Sequence, residues 1–243
     1  MEKSRRMLFL DFDGVLCDSI NECYVSSWLA FYRGGEEPKA ISIAERKRFD
    51  GYRPFIRRGA DYLLLQHCIR NGVVLARQED FDAQLARMGE RRMADYDRLF
   101  YEVRRGLLEK ERPYWLALNP PFAAIVPALG GAAPNPLVHI ISTKRADYIF
   151  EIVRSWGLAW PLERIYCSGT EDKEDYLRTC LDGQEMEEGI LVDDQIDHLT
   201  RIKDRRIRSY LASWGYVKPE WLAQRSIEVL DREGFAALLS EFA

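Results

Sequence analysis

A run of four apolar residues, Met7 to Leu10, leads directly into two aspartates, Asp11 and Asp13, near the start of the chain. A short continuous apolar run is typical of a strand that is buried on both faces of a parallel sheet. Parallel strands need crossover connections, so such a strand commits the chain to helices packed on its sheet. The segment MLFLDFDGVLCDS therefore constrains the fold more than any other part of the sequence.

The sequence after residue 136 alternates between strand-like and helix-like segments. Strands are predicted at PLVHIIST, RIYCSG, GILVDD, RSYLASWGY and IEVLD. Helices are predicted at RADYIFEIVRSWGL, EDKEDYLRTCLDG and GFAALLSEF. Strands separated by helices indicate crossover units and a doubly wound, parallel, Rossmann-like α/β sheet, to which the first strand also belongs.

Residues 20 to 118 have a different pattern, in which helical periodicity dominates and strand signals are scarce. Because this stretch follows the first strand and precedes the second, it is expected to be an insertion. We predict an α/β domain formed by residues 1–19 and 120–243. An all-helical domain, residues 20–119, is predicted to be inserted into it.

Polar residues collect where the predicted strands end, which is where ligands bind in open α/β sheets. These residues are Asp11 and Asp13, Ser142 and Thr143, Asp193 and Asp194, together with Lys173 in the first turns of the helix after RIYCSG. Gly14 lets the backbone turn sharply after the first strand, and Gly14 and Thr143 are expected to line the substrate site. Clustered carboxylates need a cation, and oxygen ligands point to Mg²⁺.

The same segments resemble a known family. DFDGVLCDS, Ser142, Lys173 and the Asp193-Asp194 pair are similar, in this order, to the four signature motifs of the haloacid dehalogenase (HAD) superfamily. The sequence WGY at 214–216 resembles that of phosphoglycolate-phosphatase-type members. The insertion resembles the helical cap that this superfamily carries after its first motif.

The resemblance implies a Mg²⁺-dependent phosphatase that acts on a small phosphorylated metabolite, and the chemistry of the residues agrees with it. Asp11 would attack phosphorus and form an aspartyl-phosphate. Asp13 would protonate the leaving oxygen and later activate water. Ser142 would donate a hydrogen bond to a phosphoryl oxygen, and Lys173 would neutralise charge on the phosphoryl group and on Asp11.

The resemblance also implies a metal site. Asp11, the carbonyl group of Asp13 and Asp194 would hold Mg²⁺, and Asp193 would be a further ligand or would support one. Family members commonly carry another acidic residue four positions after the metal-binding aspartate. Here Asp197 lies three positions after Asp194 and four after Asp193. The sequence therefore leaves open which aspartate of the pair contacts the metal.

Residues 46–58 are strongly basic, with six basic side chains and one acidic side chain. A helix predicted to begin at Pro54 and to end near residue 72 would place Arg53 at a helix start, where anions bind favourably. Arg57 would lie one turn further along. We expect Arg53 and Arg57 to bind a carboxylate or a second phosphate of the substrate; an exposed basic face is the alternative.

The overall composition limits the possible partners and compartments. The chain has 35 basic and 39 acidic residues, so its charge balance does not call for a nucleic acid or a membrane as partner. The five cysteines are scattered and form no CxxC pair, which favours a reducing, cytoplasmic setting. The apolar run before Asp11 is too short for a signal peptide or a membrane span. Either a monomer or a homodimer is compatible with the sequence.

Three other functions are compatible with parts of this pattern. A phosphomutase or phosphotransferase of the same superfamily would use the same aspartyl-phosphate. A non-catalytic phosphate-binding or partner-binding module could keep the fold, although clustered charged groups are costly without a use. A receiver-type signalling domain also gathers aspartates, a hydroxyl group and a lysine, but it would lack the DxDG segment and the long insertion.

Overall fold

The computed structural model describes residues 5–32, 42–169 and 171–243, so the charged residues Glu2 and Lys3 lie outside the described residues. The chain divides into two compact units. One unit, called the α/β unit, comprises Met1–Asp18 and Pro120–Ala243, and the other, called the inserted unit, is Ser19–Asn119.

The α/β unit is built on a sheet of six parallel strands in the order β3-β2-β1-β4-β5-β6. The strands are β1 Arg6–Leu10, β2 Val138–Ser142, β3 Ile165–Cys167, β4 Glu188–Asp193, β5 Ile207–Ala212 and β6 Glu228–Leu230. This confirms the predicted parallel α/β class.

Eleven α-helices are found in the described residues. They are α1 Ile20–Tyr32, α2 Ile43–Tyr52, α3 Asp61–Arg70, α4 Gln78–Lys110, α5 Arg112–Ala117, α6 Val126–Ala132, α7 Ala146–Ser155, α8 Lys173–Gly183, α9 Ile196–Thr200, α10 Pro219–Leu222 and α11 Arg232–Ser240. Helices α1 to α5 belong to the inserted unit, and α6 to α11 belong to the α/β unit. No helix in the described ranges combines the length and the apolar character needed to cross a membrane.

Strand β1 lies in the middle of the sheet and explains the apolar run in the sequence. Leu8 pairs with Val138 of β2 on one side and with Ile190 of β4 on the other. Met7 to Leu10 are completely buried, because strands flank β1 and both faces of the sheet are covered. On one face, Met7 and Phe9 pack in a cluster with apolar side chains of α8, including Leu177.

The strand order changes direction at β1, and this places the site. The chain adds β2 and β3 on one side of β1, then returns and adds β4, β5 and β6 on the other side. The carboxyl ends of β1, β2 and β4 are therefore neighbours at the centre of the sheet. In doubly wound folds such a switch point is the usual ligand site.

The inserted unit is held together by an aromatic cluster and a buried ion pair. The ring of Tyr62 stacks on those of Phe49 and Phe100, with centroid distances of 5.9 and 5.6 Å. The Arg104 guanidinium donates to both carboxylate oxygens of Glu22 at 2.9 and 2.6 Å, and both residues are buried. This ion pair joins helices α1 and α4. Removal of either partner would leave a buried charge without its counter-charge, which is strongly destabilising.

The predicted helix beginning at Pro54 is wrong. Arg53–Phe55 form a single 3₁₀ turn, and α3 begins only at Asp61. The buried carboxylate of Asp61 accepts hydrogen bonds from the backbone N–H groups of Arg57 and Arg58, at 3.1 and 3.2 Å. These two amides are therefore bonded to a side chain and not to a preceding helical turn, which explains the break. The predicted end near residue 72 is confirmed, since Asn71 caps α3.

Candidate active site

Asp11 follows β1 directly and continues its ladder, since the Asp11 N–H group donates to the carbonyl of Val192 at 2.9 Å. Its side chain is buried, and residue 11 as a whole is only 6% exposed. The ammonium group of Lys173 donates to Asp11 Oδ1 at 2.6 Å. A rigid central strand therefore fixes a buried, charged carboxylate at the switch point of the sheet.

Lys173 is the first residue of α8, and its side chain points into the α/β unit and not into solvent. Besides Asp11, it donates to Asp193 Oδ2 at 2.7 Å. One ammonium thus joins the end of β1 to the end of β4. This excludes the alternative that Lys173 belongs to a solvated helix face.

The two aspartates at the end of β4 have different surroundings. Asp193 is fully buried, and its Oδ1 accepts a hydrogen bond from the Gln195 N–H group at 2.8 Å. Its Oδ2 contacts both Lys173 and His198, whose Nδ1 lies 3.0 Å away. Both carboxylate oxygens of Asp193 are therefore engaged by protein groups.

Asp194 is held by a different segment, the loop after β5. Its Oδ2 accepts a hydrogen bond from the Tyr216 N–H group at 2.8 Å. A Cβ atom added to Gly14 would lie 1.9 Å from this oxygen, and one added to Gly215 would lie 2.4 Å from Asp194 Cβ. Gly14 also has a positive φ of 90°. Both glycines are needed because the backbone passes so close to Asp194.

Asp11, Asp193 and Asp194 form a group that is suited to a metal ion. One carboxylate oxygen from each lies within 4.8 Å of the others, and all three residues are buried. The Lys173 ammonium balances one of the three negative charges, and a divalent cation would balance the other two. A set of carboxylate oxygens fits Mg²⁺.

Burial and pairing set the protonation of this cluster. Burial raises the pKa of Asp11 to about 6, although the Lys173 ammonium acts in the opposite direction. Burial also disfavours the ionised form of Asp193, but Lys173 and His198 outweigh it and hold the pKa of Asp193 well below its ordinary value. Against its own desolvation, Lys173 has a raised pKa because it faces two carboxylates. Of Asp11 and Asp193, Asp11 is therefore the carboxylate that gains a proton more easily.

Asp13 has a separate cationic partner, Lys144. The Lys144 ammonium donates to Asp13 Oδ1 at 2.7 Å, and Lys144 is buried. The backbone N–H group of Lys144 donates to Ser142 Oγ at 3.3 Å, so the hydroxyl of Ser142 also lies in the turn after β2. This turn delivers a hydroxyl group and an ammonium group to the ends of β1 and β2.

The Trp214-Gly215-Tyr216 segment fastens the loop after β1. Trp214 Nε1 donates to the carbonyl of Val15 at 3.0 Å, and the Tyr216 hydroxyl donates to Asp18 Oδ1 at 2.8 Å. Tyr216 therefore contacts Asp194 through its backbone and Asp18 through its ring. The segment holds Asp194 of the three-carboxylate group and the end of the first motif in one arrangement.

The structure brings most of the predicted site residues together in the α/β unit. Asp11, Lys173 and Asp193 are in direct contact, Asp194 and Gly14 lie beside them, and Ser142, Thr143 and Asp13 lie at the neighbouring strand ends. Arg53 and Arg57 belong to the inserted unit. Arg53 is buried over the ring of Tyr62, and Arg57 donates to both carboxylate oxygens of Asp82.

Sequence reasoning missed Lys144, His198 and Gly215. His198 contacts Asp193, with its Nδ1 3.0 Å from Asp193 Oδ2. Lys144 lies two positions after Ser142 at a strand end, so its position was a signal for a site residue. His198 lies five positions after Asp193, near one helical turn beyond it, which was a weaker signal.

Comparisons with known proteins agree on the fold. No protein-family model matches the sequence, and no curated protein matches it significantly. A structure from Lactobacillus delbrueckii subsp. bulgaricus, provisionally named a phosphoglycolate phosphatase, has a TM-score of 0.65 at 13% identity, covering 97% of this chain and 98% of its own. A haloacid dehalogenase-like family protein from Streptococcus pneumoniae has a TM-score of 0.59 at 14% identity, with complete coverage of both chains, 100% each.

A third structure carries ligands. It is a HAD family hydrolase from Deinococcus radiodurans R1 with bound phosphate and sodium, with a TM-score of 0.56 at 15% identity, covering 97% of this chain and 95% of its own. All three similarities extend over nearly the whole length of both chains. The chain therefore has the fold of the haloacid dehalogenase-like hydrolases, with a Rossmann-like α/β core and a helical insertion.

Proposed function

We propose that this chain is a Mg²⁺-dependent phosphatase that hydrolyses a small phosphorylated metabolite through an aspartyl-phosphate on Asp11. One observation carries the proposal: a buried carboxylate at the switch point of the sheet contacts Lys173 at 2.6 Å and lies within 4.8 Å of Asp193 and Asp194. Phosphoryl transfer needs a positioned nucleophile and neutralised charge, and this arrangement supplies both. Structural neighbours named as a phosphoglycolate phosphatase and as a HAD family hydrolase support the phosphatase part of this assignment.

The first proposed step transfers the phosphoryl group to the protein. An oxygen of Asp11 forms a bond to phosphorus as the ester P–O bond breaks. Asp13, which pairs with Lys144 as a carboxylate, takes up a proton from solvent as the substrate binds and gives it to the leaving oxygen, so the product is an alcohol and not an alkoxide. Lys173 offsets the negative charge near Asp11, and Ser142 donates a hydrogen bond to a phosphoryl oxygen.

The second proposed step releases phosphate. Asp13, now ionised, takes a proton from a water molecule as the water oxygen bonds to phosphorus. The bond between phosphorus and the Asp11 oxygen breaks, and the Asp11 carboxylate is restored. Splitting one displacement into two in this way leaves the protein unchanged after each turnover.

Asp11, the Asp13 carbonyl group and Asp194 are the proposed Mg²⁺ ligands. When bound, Mg²⁺ neutralises negative charge on the phosphoryl oxygens. Asp193 is proposed to support the site and not to bind the ion directly, because Lys173, His198 and the Gln195 N–H group already engage both of its carboxylate oxygens. The proposal therefore takes Asp194 as the aspartate of the pair that contacts the metal.

We further propose that residues 20–119 act as the cap that selects the substrate. Gly14 and Thr143 are retained as substrate-site residues, since they lie beside Asp194 and Ser142 respectively. The roles of Arg53 and Arg57 in substrate binding stay predictions, and the expected helix start at Pro54 does not support them. A cytoplasmic location and a monomeric or dimeric state also stay predictions.

The proposal is tested by phosphate release from p-nitrophenyl phosphate and from a panel of phosphorylated metabolites, with Mg²⁺ present. Wild type should release phosphate, and Asp11→Asn should lose at least about 10³-fold in kcat/KM, as removal of a nucleophile does. Asp95→Asn, at an aspartate of α4 whose side chain is 48% exposed, is the matched control and should keep full activity. Equal activity of Asp11→Asn and wild type would refute the nucleophile.

A further inference from the structure

Lys144 carries a buried charge that the proposed chemistry does not yet use. Residue 144 is 3% exposed, so its ammonium group has lost nearly all of its water. A buried ammonium needs an anionic partner, and Lys144 finds it in Asp13 Oδ1 at 2.7 Å. The Asp13 side chain is 16% exposed. Lys144 is therefore buried inside the α/β unit, whereas the Asp13 side chain reaches its surface.

The surroundings of Lys144 hold its side chain in place along its length. Its backbone N–H group is bonded to Ser142 Oγ, which fixes the start of the side chain in the turn after β2. Its ammonium lies 5.3 Å from the centre of the Phe12 ring, at a distance suited to a cation–π interaction. The Phe12 ring in turn stacks on Trp156, with centroids 5.6 Å apart and planes 11° apart. Lys144 is thus a fixed charge and not a mobile surface lysine.

Asp11 and Asp13, the two aspartates of the first motif, form ion pairs with different lysines. Lys173, from α8, holds Asp11 and Asp193. Lys144, from the end of β2, holds Asp13. Removal of the Lys144 ammonium should therefore leave the contacts of Lys173 with Asp11 and Asp193 intact. This separation makes the role of Lys144 testable by itself.

We propose that Lys144 is a positioning residue for Asp13, which it holds in the orientation that delivers a proton to the leaving oxygen. The inference rests on the proposed phosphatase function. An aspartate in a loop can adopt several rotamers, and a displacement of about 1 Å in a reacting group can cost about 10²-fold in rate. The contact with Lys144 removes this freedom. Lys144 itself is not expected to touch the substrate.

The test compares two esters that differ in their need for a proton. The value of kcat/KM covers the steps up to departure of the leaving group. An alkyl phosphate then needs a proton from Asp13, whereas p-nitrophenolate leaves without one. In Lys144→Met, kcat/KM should fall at least about tenfold more for the alkyl phosphate than for p-nitrophenyl phosphate. Lys144→Arg, which keeps the charge, should recover part of this loss.

Asp13→Asn and Lys110→Met serve as reference and control. Asp13→Asn should show the same preference for the good leaving group, and adding Lys144→Met to it should cause little further loss, because the two residues act through one group. Lys110 is exposed at the end of α4, so Lys110→Met should leave both values unchanged. If Lys144→Met does not fold, Lys144→Gln, which also removes the charge, gives the same comparison.

Two results would overturn the inference: equal losses on the two esters in Lys144→Met, or losses that simply add in the double variant. Wild type that hydrolyses neither ester would contradict the proposed function, and the inference would fall with it. Activity in wild type together with equal losses would contradict the inference alone.

Discussion

At the scale of single residues, the two aspartates after β1 differ in burial and in partner. Asp11 is buried and bonded to Lys173, whereas the Asp13 side chain is partly exposed and bonded to Lys144. A nucleophile benefits from a rigid, desolvated position, and a proton donor must reach both the leaving group and water. The difference in surroundings therefore supports the different roles that we propose for them.

The affinity for Mg²⁺ should depend on pH through Asp11. The pKa of Asp11 is raised by burial to about 6, and a metal ion binds only the ionised carboxylate. Well above pH 6 almost no proton has to leave, so the affinity is full; as the pH falls through 6, protons compete with the metal and the affinity falls. Between pH 7.5 and pH 5 the association constant should drop about tenfold. Isothermal titration calorimetry at the two pH values measures it.

Asp11→Asn is the control for this dependence. It should bind Mg²⁺ more weakly at both pH values, and most of the difference between pH 7.5 and pH 5 should disappear. Wild type with the same affinity at both pH values would show that Asp11 is not a ligand, or that its proton does not compete with the metal.

The aspartates could be predicted from sequence because the backbone determines their direction, whereas Lys173 was predicted from its resemblance to a family motif. Asp11 directly follows β1 and Asp194 directly follows β4, so these buried strands determine the positions of both residues. Lys144 and His198 reach their carboxylates through longer side chains or a helical turn. Their direction depends on what packs around them, such as the ring of Phe12 beside the Lys144 ammonium. Local sequence does not contain that information.

At the scale of elements, α4 contains a break that the sequence marks only by one glycine. Gly89 has φ 74° and ψ 159°, far from helical values, within Gln78–Lys110. Such a conformation is essentially restricted to glycine. Gly106, in the same helix, has no such conformation, and a Cβ atom added at either glycine would meet no atom within 4 Å. The two glycines therefore differ in backbone conformation and not in space.

Alanine substitutions at these two glycines should have opposite effects on the free energy of unfolding. Gly89→Ala should lower it by about 1–3 kcal/mol, because alanine is strained at positive φ. Gly106→Ala should raise it by up to about 1 kcal/mol, because alanine is the better helix former. Urea unfolding of both variants measures the difference. A Gly89→Ala variant as stable as Gly106→Ala would mean that α4 is not broken at residue 89.

The segment around Pro54 shows why helix boundaries are hard to predict. Proline and the apolar spacing that follows it favour a helix start at this position. A carboxylate several residues later, that of Asp61, competes for the same backbone N–H groups and wins because it is buried. Whether Asp61 would be buried follows from the packing of the inserted unit and not from local propensity.

At the scale of the whole molecule, the entire candidate site lies within the α/β unit. Its residues come from the first 18 residues and from the part of the chain after Pro120. The segment that leads into the insertion pairs with the segment that follows it. The Asp18 N–H group donates to the Pro120 carbonyl at 2.9 Å, and Cys17 forms an antiparallel bridge with Pro121. The insertion therefore leaves and re-enters the α/β unit at one point, beside the first motif.

The alternation of strands and helices was sufficient to predict the sheet class and the insertion. It was not sufficient to predict the strand order, in which β1 lies between β2 and β4. That order brings Asp11, Ser142 and Asp194 together, although they are far apart in sequence. From sequence alone, their convergence depended on the general rule for strand ends and on the resemblance to one superfamily.

The most direct test of the central claim is a search for the covalent intermediate on residue 11. Protein mixed with p-nitrophenyl phosphate, whose leaving group needs no proton, and Mg²⁺ is quenched in acid, digested and analysed by mass spectrometry. We predict a peptide containing Asp11 that carries one added phosphoryl group, and a larger amount of it in Asp13→Asn, in which water is no longer activated. Ester hydrolysis with no phosphoryl group on residue 11 in either protein would contradict the account.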